Sequence, residues 1–131
     1  MSLQEILFIQ VLWTYLIQST LLICHEIESA YWEEWKLFRL PGGISFFIIL
    51  HLPVVFLVLL GVKLIGDKNY YGVVIALFVG LAGIIGYLLH RYFIKKGKEG
   101  FNLTVSKILL SGMLIVGIVL SVSCGFLLLT F

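Results

Sequence analysis

A chain of 131 residues that is 61% hydrophobic and only 12% charged, with a formal charge of +2 and a mean hydropathy of +1.13, excludes an ordinary soluble domain, where about a quarter of residues are charged. Its basic residues are scattered through loops and form no long run, which excludes nucleic acid as a partner. A bilayer core of about 30 Å takes roughly 20 apolar residues per helical crossing, and four such stretches account for nearly all of the sequence. The expected fold is all-α: a single integral membrane domain over residues 1–131, polytopic, with four transmembrane helices in an up-down bundle. The spans fall at approximately 3–38, 44–65, 70–94 and 103–131, the first unusually long.

The first span starts near Leu3 and meets neither Pro nor Gly until Pro41. Its helical pattern can run for about 35 residues, or about 52 Å at 1.5 Å per residue, which exceeds the bilayer. No positively charged region precedes it and no small-residue cleavage site follows it, so the segment is expected to be retained. At about 100° per residue, Gln10, Thr14, Gln18, His25, Glu28 and Trp32 share one sector of roughly 80°. Such a stripe faces protein or water; it either joins helices by hydrogen bonds or lines a wet path. Between Ile23 and Lys36 lie four of the seven acidic residues, Glu26, Glu28, Glu33 and Glu34. Residues 26–38 either continue the helix or lie along the membrane surface.

Pro41-Gly42-Gly43 breaks the helix and turns the chain into the second span, which carries His51 and, two residues on, Pro53, a potential kink. After the polar turn Gly66-Asp67-Lys68-Asn69, the third span holds Gly80, Gly83 and Gly86 and then Tyr87 and His90. Small residues let helices approach closely in lipid, so this span is also the expected surface for a homo-oligomer. The fourth span has a small face of Gly117, Ser121 and Cys124. Cys24 and Cys124 fall near opposite membrane faces in this arrangement, too far apart for a disulfide, and are expected to be free thiols.

Seven of the nine basic residues, Lys36, Arg39, Arg91, Lys95, Lys96, Lys98 and Lys107, gather at one end of the bundle, against Lys63 and Lys68 at the other. The positive-inside rule makes that end, with the 36–43 and 95–101 loops, cytoplasmic. Both termini are then extracytoplasmic, in an inner or plasma membrane surrounded by its lipids. Asn102-Leu-Thr104 has the spacing of a glycosylation acceptor, but a cytoplasmic loop never meets that machinery.

Alternating span direction brings His25, His51 and His90 toward this same end from three different helices. His25 and Glu28, at i and i+3, share a helix face. With His51 and His90 they make a three-histidine, one-carboxylate set suited to a divalent metal, zinc first and iron or manganese next. Glu26, about 100° round the helix, is placed to handle protons, as is Glu28, and these two are the candidate catalytic carboxylates. Ser29 is either a nucleophile or a packing hydroxyl. The competing structural reading makes each histidine a hydrogen-bonding residue between helices. It makes Glu33 and Glu34 a solvated face beside Lys36, and Trp32 and Trp35 interfacial anchors, with Arg39 stacked on Trp35.

At His25-Glu-Ile-Glu-Ser29, followed by Tyr-Trp-Glu-Glu-Trp, the chain resembles small bacterial four-helix membrane proteins that share an HXXEE motif, and related families of unknown function. Ser29 stands where that motif has its second glutamate. The resemblance implies a bundle of four spans. A looser similarity of design links the chain to ceramidase-like membrane hydrolases, which hold zinc with histidines inside a helical bundle. The functional expectation is a metal site near the cytoplasmic leaflet that activates water against a lipid-like substrate. Its rivals are a small ion, proton or metal transporter and a structural, partner-binding membrane subunit.

Overall fold

The computed structural model describes residues 1–97 and 100–131, and these are all-helical. Lys98, one of the seven basic residues at the loop end, lies outside the described residues. Four helices are long and apolar enough to cross a membrane: α1 (Leu3–Tyr31), α2 (Gly43–Gly66), α3 (Tyr70–Lys95) and α4 (Thr104–Leu128). This fits an integral membrane protein. The first helix is the longest at 29 residues, yet it ends seven residues before the expected position 38. Glu33 adopts a left-handed conformation (φ 54°, ψ 47°), and a 3₁₀ turn at Glu34–Lys36 follows. Residues 26–31 of the acidic stretch therefore continue α1, and the chain leaves the helix only at the turn that carries Glu33 and Glu34.

Local chemistry sets the other ends. Ser2 and Glu5 make a reciprocal capping box at the start of α1, which satisfies two of the helix's unpaired N–H groups. Asn69 caps α3 by accepting from Tyr71 N–H at 2.8 Å. Gly42 and Gly43, both at positive φ, make the entry to α2, where residues with a Cβ would be strained. Pro53 is accommodated within an unbroken α2. Gln4 and Thr130 meet at 3.4 Å and Lys68 pairs with Glu5 at 3.2 Å, so both termini and the α2–α3 turn share one end of the bundle.

The helices pack as a square in the order α1, α4, α3, α2, with α1 and α3 also touching across the diagonal. The α3–α4 seam is the tightest. A Cβ at Gly80 would overlap Ser121 and crowd the Gly117 carbonyl, and one at Gly83 would overlap Gln18 Nε2 and crowd the Met113 carbonyl. Gly80 and Gly83 are buried and pack inside the chain. The polar stripe is likewise drawn into packing. Gln10 donates to Ser123 Oγ at 3.0 Å and Gln18 to the Met113 carbonyl at 3.1 Å, both across to α4. Tyr15, fully buried, donates to the Val58 carbonyl of α2 at 2.8 Å. From Gln18 toward the termini, the interior among the described residues is filled by Val11, Tyr15, Ala76, Leu120, Cys124 and Leu127.

In contrast, α2 buries only Gly61 and Ile65. Cys24 is exposed and Cys124 buried, and neither is bridged.

Replacing Gly83 with Ala should lower the thermal midpoint in detergent by overpacking the α3–α4–Gln18 contact, at about 1–3 kcal/mol. Gly125→Ala, where a Cβ would meet open space, should leave the midpoint unchanged or raise it.

Candidate metal centre

Two of the three histidines meet. His25, six residues before the end of α1, lies about 9 Å from that end, and His90, five residues before the end of α3, about 8 Å. The early stop of α1 thus puts them at one level. Their Nε2 atoms stand 2.9 Å apart in an edge-to-face pair, and both residues are almost completely buried. Phe101, itself buried, lies over both rings, with its centroid 4.1 Å from His90 and 5.6 Å from His25.

The carboxylate that joins them is Glu34, whose Oε1 is 3.4 Å from His90 Nε2. One donor atom from each of His25, Glu34 and His90 lies within 4.8 Å of the others. Glu34 is no solvated surface residue: its side chain is 14% exposed. The left-handed turn at Glu33 folds the chain back, so that Glu33 points to water and pairs with Lys36 while the next residue points in. Ser29, fully buried, lies close to Glu34 without reaching hydrogen-bond geometry. Burial pushes the Glu34 carboxyl above the usual carboxylate range, and although Ser29 and His51 offset this, the nearby charges of Glu26 and Glu28 add to it.

The other expected ligands are elsewhere. His51 is stacked on Phe47 at 4.0 Å between centroids, and its Nε2 is 2.9 Å from Glu26 Oε2. The same 100° that separates Glu26 from His25 around α1 aims Glu26 at α2, while His25 faces α3. Glu28 turns to α4, where Ser106 donates to its Oε1, and its Oε2 is buried without a hydrogen bond. Trp35 is buried against Phe47 at 5.5 Å. It is therefore a packing residue that anchors the 3₁₀ turn to α2, not an exposed interfacial anchor under Arg39.

A proton alone satisfies this triad poorly. If His25 donates its Nε2–H, the acceptor nitrogen of His90 is left facing the acceptor oxygen of Glu34, and if His90 donates, one N–H has to serve both His25 and Glu34. A cation bound by all three atoms removes that conflict. For zinc with Zn–N near 2.0 Å, tetrahedral ligands stand about 3.3 Å apart, close to the 2.9 Å between the imidazoles and the 3.4 Å from His90 to Glu34. His25 Nδ1 is buried with no hydrogen-bond partner, so the second protein contact that usually fixes a ligating histidine is missing on that ring.

Nothing in the sequence pattern points to Glu34 or Phe101. No glycine marks the turn at Glu33, and a Glu-Glu pair beside lysine has the pattern of a solvated face.

A family model matches residues 11–125. The chain belongs to DUF6713, a family of unknown function. The matched region takes in all four helices and every residue of the triad. Neither the curated proteins nor the solved structures offer a match to the chain.

The strain at Glu33 has a measurable consequence. Glu33→Gly should hold or raise the thermal midpoint, whereas Glu33→Val, a β-branched residue in the left-handed region, should lower stability by about 1–2 kcal/mol.

Proposed function

We propose that this protein is a membrane-embedded metalloprotein in which His25, His90 and Glu34 hold one divalent cation, zinc first and iron or manganese next, close to the cytoplasmic leaflet. The observation that carries the reading is the convergence of two buried imidazoles and one partly buried carboxylate from two helices and the 3₁₀ turn. Three protein ligands leave a further position for water or substrate, the pattern of catalytic rather than structural sites. A bound zinc would lower the pKa of that water toward 7. The reaction this suits is hydrolysis of a lipid-like substrate, with Glu26 as the carboxylate that accepts a proton. Glu28 instead accepts from Ser106 across to α4.

The remaining chain supports an orientation with this end cytoplasmic. Lys36, Arg39, Arg91, Lys95, Lys96 and Lys107 lie there, while Lys63 and Lys68 at the opposite end are paired with Asp67 and Glu5. Transport is the weaker reading because packed side chains fill the interior toward the termini. On the metal reading, the HXXE-like start divides its labour: the histidine serves the centre and the glutamate serves α4 packing.

Protein purified in detergent should carry about one metal per chain by elemental analysis. His90→Ala and Glu34→Ala should each weaken retention more than about tenfold, while His51→Ala and Glu28→Gln retain it. Metal absent from the wild type, or undiminished in both His90→Ala and Glu34→Ala, would sink the proposal.

A further inference from the structure

On the opposite side of α1 from Phe101, an open groove of about 580 Å³ runs between α1, α2 and α3. This is within the range of small-molecule sites, about 300–1,000 Å³. Its walls are apolar side chains, among them Leu22, Val55, Val58, Phe78 and Val79, and it lies within the membrane-spanning helices. It therefore opens to the hydrocarbon of the bilayer. Only two polar residues line it, Glu26 and His51, both toward the site end of the bundle and both partly exposed, at 36% and 22% of their side chains.

His51 Nδ1 is 2.7 Å from the Phe47 carbonyl, which can only accept, so Nδ1 carries a proton. His51 Nε2 and Glu26 Oε2 are hydrogen-bonded at 2.9 Å. Oε1 of Glu26 is left as an acceptor for a ligand. No Lys or Arg lines the groove among the described residues, so a phosphate-bearing head would be left unpaired in a dry site, an unfavourable arrangement.

From this geometry we infer that the groove binds an uncharged amphiphile with one acyl chain, whose hydroxyl-bearing head donates to Glu26 beside the metal centre while its chain lies along α2 and α3. The inference rests on the proposed hydrolase for its substrate class, but the binding itself depends on the groove alone. Entry is lateral, from the leaflet, past the loosely packed α2.

The test uses the full chain in nanodiscs with a monoacylglycerol that carries a diazirine in its acyl tail. Photolabelling should concentrate on groove residues of α2 and α3 and be competed by unlabelled monoacylglycerol. Filling the groove by Val55→Trp, or independently by Ala82→Trp, should cut labelling about tenfold. Glu26→Leu, which removes the acceptor oxygen, should raise the competitor concentration needed by about tenfold, as expected for loss of one hydrogen bond. Labelling that follows general lipid exposure, that survives both tryptophan variants, or that yields more readily to an anionic phospholipid overturns the inference. Metal content in the same samples separates the two ideas. Val55→Trp should keep its metal, and His90→Ala should lose metal yet keep its labelling; the reverse pattern, labelling lost with the metal and insensitive to Val55→Trp, overturns the groove and leaves the centre standing.

Discussion

A backbone inside a bilayer can satisfy its N–H and C=O groups only by staying helical, and this constraint decides where chemistry can be built. Departures from helix are confined to the two ends of the bundle. At the terminal end they are short and capped, by Ser2 with Glu5 and by Asn69. At the other end they are elaborate: Glu33, Arg39 and Phe101 all take positive φ without being glycine. Two of those residues adjoin the candidate centre, because Glu33 turns Glu34 inward and Phe101 covers the two imidazoles. A site of this kind uses helices to hold the histidines and irregular backbone, available only at the membrane boundary, to bring the third ligand.

The bundle is correspondingly asymmetric. Along α3 and α4, Gly80, Gly83 and Gly117 let backbones come so close that added Cβ atoms would collide, and Gln10 and Gln18 fasten α1 to the same seam. Dispersion and hydrogen bonding replace the hydrophobic effect there as the source of association. Along α2 the contacts are few. Tyr15 fastens it through the Val58 carbonyl, a reach made possible by Gly61, where a Cβ would overlap the Tyr15 hydroxyl. At the His51 level α2 stands away from α1 and α3, and the groove occupies the gap. The rigid seam fixes His25 against His90, while the loose helix borders the space a ligand would enter.

Much of this architecture is legible in the amino-acid sequence. Hydropathy and Pro41-Gly42-Gly43 mark four spans, alternating direction puts three histidines at one end, and helix angle separates Glu26 from His25. Angle alone, however, does not say which helix stands in which direction. The diagonal contact of α1 with α3 decides that His25 meets His90 while Glu26 meets His51, and it depends on which small residues face inward in three dimensions. Glu34 is out of reach for a different reason. A glutamate in the left-handed region is held by its surroundings, here by the buried Trp35 and the Glu33–Lys36 pair, and leaves no mark that a glycine would have left.

The consecutive residues His25 and Glu26 give α1 its functional logic. A helix places neighbours about 100° apart, so one residue can serve a closed, aromatic-covered centre on one side while the next serves an open, lipid-facing groove on the other. The two environments then share a single rigid element. Displacing α2 to admit an acyl chain would act on Glu26 through His51, and through α1 on the very turn of helix that carries His25. Coupling of this kind needs no long pathway. It follows from putting Glu26 and His25 side by side in one sequence, on a helix that Gln10 and Gln18 fasten to α4.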